Sequence, residues 1–210
     1  TLQQSSAASD VYKRQDALPY LLEAFLEDDD PVVLGSSAGA MATIGPDAMD
    51  SLLGILKNPD CTPFQVGLIN LALSFIGAKA PEALLKAADS DVAEVRVAAI
   101  SALGDQIQKG DNLRAQNRVF QALDDVSADV RAEAVTLIGK SCDAEDVEIL
   151  LLKKLRDENT QVRKNTALSL MKLDALGAIQ QLKIAEKQED DPDVKAVLRV
   201  AINILSAKAS

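Results

Sequence analysis

The chain has 210 residues, a formal net charge of −10, no histidine, and 48% hydrophobic but only 3% aromatic residues. An acidic balance with a sequence pI near 4.5 argues against a nucleic-acid footprint, which needs a basic stripe, and opposes binding to anionic membranes. The missing histidine removes His-based triads, imidazole bases and His-containing metal sites, so no metal centre is expected.

Residues 1–15 carry no helical period and begin without an initiator Met. They resemble translated adaptor sequence on assembled gene models and are set aside as a non-native or disordered tail. Residues 16–27 follow as one helix, with Leu18, Leu21, Leu22, Phe25 and Leu26 as its apolar stripe and Pro19 in the first turn. A helix over about 32–44 is rich in small residues, among them Gly35 and Gly39. Glycine inside a helix costs about 1 kcal/mol against Ala, which close helix packing or a bound partner would justify. Thr62, Pro63 and Gln65 form a capping box at the head of the next helix. Asn70 then falls in a run that is apolar nearly all round, where a buried amide needs Ser74, an inter-repeat loop or a ligand as partner.

Val95-Arg96, Val130-Arg131, Val162-Arg163 and Val194-Lys195 each open a first helix. These four cations are read as a structural ladder, with Asp89, Asp91, Asp125, Asp157 and Asp191 as acidic partners. The segment Asn112–Leu123 is read as burying Leu113, Phe120 and Leu123, and it sets Arg114 and Arg118 one turn apart. A last helix from Pro192 to about Leu205 is apolar on more than one side. Because terminal repeats need a polar outer face, it predicts either a covering subunit or a different local fold.

Ten-residue copies ending at 45, 77, 104, 139, 171 and 203 recur at intervals of 32, 27, 35, 32 and 32 residues. Glycine closes the clearer ones as an expected helix stop. Second amphipathic segments run at 47–57, 81–88, 112–123, 144–156 and 176–187. Two helices per period, the first opened by Asp-x-x-Val-Arg, resemble HEAT repeats, most closely those of the phycobilisome-lyase type. The resemblance implies an all-α fold over residues 16–206. It would be a single right-handed α-solenoid of about five to six helical hairpins.

A solenoid supplies a surface and no chemistry, and no nucleophile, base pair or phosphate loop stands out, so no catalytic residue is assigned. Two stretches, Asp60–Leu84 and Gln161–Leu173, are similar to the phycobilin lyases of cyanobacteria, nearest those acting on phycoerythrin. The resemblance implies an enzyme that joins an open-chain tetrapyrrole to a cysteine of a phycobiliprotein subunit through a thioether. The phycobilin is then substrate rather than cofactor, and the nucleophilic thiol belongs to the partner. Substrate-binding candidates are Arg114 and Arg118 for the two propionates, with Asn70 and Gln65. Further expected partners are a second lyase subunit or a second copy joined through the C-terminal helix. The alternative is a non-catalytic HEAT adaptor holding a protein or peptide on its concave face. No apolar run approaches the ~18 residues of a spanning helix, no secretory pattern is present, and two unpaired cysteines fit a reducing compartment, so the expected location is cytoplasmic.

Overall fold

A computed structural model describes residues 16–108 and 112–209, and the expected tail over 1–15 lies outside them. All regular structure among the described residues is helical. Helix α1 covers residues 16–27. It is followed by α2 (Pro31–Ile44), a 3-10 turn at Pro46–Ala48 with α3 (Met49–Ile55), α4 (Pro63–Gly77), α5 (Pro81–Ala87) and α6 (Ala93–Gln108). Then come α7 (Leu113–Ala122), α8 (Ala128–Ser141), α9 (Ala144–Lys154), α10 (Thr160–Lys172), a 3-10 turn at Leu176–Ala178 with α11 (Ile179–Gln188), and α12 (Pro192–Lys208). The chain forms two compact units, one ending at Asp105 and the other starting at Gln106.

The helix starts are written in the sequence. Asp30, Asn159 and Asp191 accept amide hydrogens of their own first turns, and Pro31, Pro63, Pro81 and Pro192 stand where a missing N–H costs nothing. Thr62 and Gln65 complete the capping box: Gln65 N–H donates to Thr62 Oγ1 at 3.2 Å, and Thr62 N–H donates to Gln65 Oε1 at 3.0 Å. In the first unit α2 packs on α4, and α4 on α3 and α5; in the second, α10 packs between α8 and α12.

Each first helix buries an i, i+4, i+7 row. The rows are Leu34, Ala38, Met41; Ile69, Leu73, Ile76; Val95, Ala99, Ala102; Val130, Ala134, Leu137; Val162, Thr166, Ser169; and Val194, Leu198, Ala201. The helix starts correct the register of the first two copies. Leu34 N–H donates to Asp30 O and Val66 N–H to Thr62 O, as Arg131 N–H does to Ser127 O, so Val33 and Gln65, not Ser36 and Leu68, occupy the position of Val130, and Ser36 is exposed. Helices α2 and α4 are small or apolar on nearly every face, so hydrophobic period could not choose the buried one.

Glycine ends α2 and α4, at Gly45 and Gly77, but not the later helices. Gly104 and Gly139 lie inside α6 and α8. A Cβ on Gly139 would stand 2.4 Å from Ser169 Oγ, so α8 and α10 approach at a point that only glycine permits. The helix end that does need glycine is Gly45, at φ 90°. Gly35 and Gly39 are the reverse case: an added Cβ would meet nothing within 4 Å, so close packing does not explain them. The stripe of α1 is narrower than read, with Phe25 buried, Leu18, Leu21 and Leu22 half-buried and Leu26 49% exposed. Leu113, expected inside, is 72% exposed, because α7 turns Ala115, Val119 and Ala122 inward instead.

The cation after each Val repeats one contact. Arg96 Nη1 donates to Ser90 O (2.8 Å), Arg131 Nη1 to Asp125 O (3.0 Å), Arg163 Nη1 to Asp157 O (2.9 Å) and Lys195 Nζ to Glu189 O (3.3 Å). In the second unit the guanidinium of Arg131 also forks onto Asp157, 2.8 Å on both arms. Arg163 forks in the same way onto Glu189 at 2.7 Å. The acid beyond Arg163 is therefore Glu189 rather than the expected Asp191. The corrected register places Leu34 and Val66 at this same position, so neither of the first two repeats carries the cation. Asn70 Oδ1 is left buried and without a hydrogen-bond partner among the described residues, Ser74 included.

The electrostatic pattern can be tested at both of its ends. Burial works to raise the Asp157 carboxyl, but the Arg131 hydrogen bond, the Asn159 amide and the charges of Arg131 and Lys154 outweigh it and hold the group below its ordinary value. Glu189 is lowered first by its Arg163 hydrogen bond, against burial. Because both folded values are depressed, their stabilisation is complete above the ordinary carboxylate range near ~4 and is lost as pH falls through the folded values. Asp157→Asn should cost about 3 kcal/mol at pH 7, read by chemical denaturation, and the gap to wild type should close as the pH drops below ~4. A gap independent of pH would rule out the ion pair as its source. Asn70→Leu removes an unpaired buried acceptor and should stabilise the protein by about 1 kcal/mol; a lowered melting temperature would mean that Oδ1 has a partner.

Candidate functional site

Arg114 and Arg118 both lie on α7, whose first turn is capped by Asn112 Oδ1 accepting from Ala115 N–H at 3.0 Å. Arg114 is exposed and Arg118 half-buried. The apolar side Ala115, Val119, Ala122 anchors the helix, so the opposite side presents Leu113, Arg114, Asn117 and Gln121 to water. This strip is apolar at its start and cationic along one edge, and it lies at the positive end of the helix dipole. Such a strip can hold a flat apolar molecule that carries carboxylates, since guanidinium groups bind carboxylates through charge-assisted pairs.

Gln65 and Asn70 sit in the first unit, Arg114 and Arg118 in the second. Gln65 is occupied at both ends of its amide: Oε1 accepts within the capping box, and Nε2 donates to Phe25 O at 3.0 Å, tying α4 to the end of α1. Neither cysteine is in a disulfide, and both are half-buried. Burial pushes the Cys61 thiol up, which keeps it protonated at neutral pH and makes it a poor nucleophile.

Sequence reasoning missed the charge distribution of the first unit. Helices α2 and α4 contain no charged residue, yet Val32, Phe64, Leu71 and Phe75 are 73%, 51%, 56% and 62% exposed on them. The signal was present as charge-free runs in a chain that is 26% charged. The last helix shows a smaller version, with Val200 50% and Ile204 39% exposed beside Arg199. No described helix is long and apolar enough to cross a membrane.

The HEAT-repeat family profile matches residues 117–203. The bilin biosynthesis protein MpeU of Synechococcus sp. (strain WH8020) is 50% identical over 223 aligned positions, covering 91% of this chain and 75% of that protein. Among solved structures, Cex1p superposes with a TM-score of 0.58 at 12% identity, covering 94% of this chain and 44% of that one. A designed armadillo repeat protein in complex with the peptide (KR)4 gives 0.51 at 20% identity, covering 90% and 99%. The two structures share the repeat fold, while identity carried across most of both chains is what marks kinship. This chain is a HEAT-repeat protein and belongs to the family of the bilin biosynthesis protein MpeU.

Proposed function

We propose that this protein is a phycobilin lyase or bilin chaperone, which binds an open-chain tetrapyrrole and positions it for thioether attachment to a cysteine of a phycobiliprotein subunit. The observation that carries this reading is the 50% identity to a bilin biosynthesis protein across 91% of the chain. The composition supports it. Thioether formation draws its nucleophile from the acceptor protein, so a lyase without histidine and with a raised cysteine pKa lacks nothing that the step requires of it.

On this reading the protein works by orientation, which lowers the barrier by setting two reactants in an attack geometry before they meet. Arg114 and Arg118 take the two propionates, and exposed Leu113 takes the edge of a ring. The cations after each recurring Val donate to loop carbonyls, and Arg131 and Arg163 also fork onto Asp157 and Glu189, which supports a structural role for them.

The test is co-expression with candidate phycobiliprotein subunits and a bilin-producing pathway, followed by zinc-enhanced fluorescence of the denaturing gel. A covalent pigment band dependent on this chain is expected. Arg114→Ala with Arg118→Ala should weaken bilin binding by about tenfold or more, without loss of helical circular dichroism. An undiminished band in the double variant would remove the arginine clamp. No band with any subunit, from folded protein, would favour the adaptor reading instead.

A further inference from the structure

The outward side of α4 has a pattern that the bilin reading does not use. Phe64, Leu68, Leu71 and Phe75 follow one another at intervals of four, three and four, the spacing of a coiled-coil seam. Phe64, Leu71 and Phe75 are each more than half exposed and Leu68 is half-buried. The series Phe-x-x-x-Leu-x-x-Leu-x-x-x-Phe reads the same in both directions. When two such helices lie antiparallel, Phe64 of one copy falls opposite Phe75 of the other, and Leu68 opposite Leu71.

We propose that this face joins two copies of the chain about a two-fold axis, α4 against α4. A two-fold interface must be self-complementary, and a palindromic seam meets that condition without any second surface. Electrostatics restrict where two copies can meet: each carries a net charge of −10, and like charges brought together cost energy unless they are kept from the contact. Helices α2 and α4 are free of charge throughout, so this face adds no repulsion of its own. The outward positions of α8 include Asp129, Glu133 and Lys140, and α12 places Arg199, Asp193 and Lys208 around Val200 and Ile204. The same lack of charge disfavours a carboxylate-bearing bilin here, since α2 and α4 offer its propionates no cation. Gly67 beside the seam and Gly35 and Gly39 on α2 have open space where a Cβ would stand, which lets a second helix approach closely.

The seam is about 17 Å long at ~1.5 Å per residue, short for a standard interface of ~800 Å² per partner. The dimer is accordingly reversible, with dissociation on the order of 10 µM. Sedimentation equilibrium of the full chain should show a mean mass rising from 22.3 kDa toward twice that value as concentration passes through this range. Added salt should strengthen the association by screening the acidic surfaces. Leu71→Glu should give a monomer at every concentration with unchanged circular dichroism, and Ile204→Glu on α12 should leave the dimer intact. A wild-type chain that stays at monomer mass to ~200 µM overturns the proposal. So does a dimer that survives Leu71→Glu or is lost with Ile204→Glu. A monomer whose Leu71→Glu variant loses phycobiliprotein binding would assign the seam to that partner and likewise overturn self-pairing. None of these readings depends on bilin attachment.

Discussion

Arg131 is 6% exposed, and its guanidinium reaches in two directions at once. One arm closes the loop before its own helix through Asp125 O, and the others grip Asp157 in the loop before the next first helix. Asp157 O in turn accepts from Arg163, which grips Glu189, whose carbonyl accepts from Lys195. Loops are where a helical stack leaves carbonyls without partners, and a buried charge is tolerated only when paired and hydrogen-bonded. The chain of contacts meets both requirements together and sets the spacing of successive repeats in the second unit.

The first unit is built on a different balance. Leu34 and Val66 stand where the later repeats have a cation, and α2 and α4 carry no charge. Their packing rests on apolar rows, on the capping box and on Gln65 reaching Phe25 O. Their outward surface is apolar, and Asn70 Oδ1 on α4 is buried without a hydrogen-bond partner among the described residues. The second unit is therefore cross-linked by charge, while the first is uncharged along two helices and available for apolar contact.

This division bears on the functional reading. The cations that recur through the repeats are engaged by loop carbonyls and acids, so the proposed bilin clamp draws on side chains outside that set. Arg114 and Arg118 stand outside it, on a second helix with its apolar side anchored and its mixed side in water. A repeat scaffold contributes positioning, and under the proposed function the molecule positioned is a bilin, the reading that the relation to the MpeU family supports.

Much of the architecture was legible without coordinates. The cap at Thr62, prolines at helix starts and the Val-Arg recurrence are local signals, and they placed the helices to within a few positions. The register of α2 and α4 was not legible, because a helix that is apolar or small on every side has no period to read, and only packing against its neighbours selected Leu34 and Ile69. Leu113 failed for a related reason: alanines at 115 and 122 bury as well as leucine when a neighbouring helix comes close. The choice of Glu189 over Asp191, and the need for glycine at 139 but not at 35 or 39, depend on which atoms of a distant segment arrive within about 3 Å. Sequence by itself determined where helices begin and which repeats carry charge; tertiary structure decided which face each helix turns inward, because burial is a property of neighbours and not of residues.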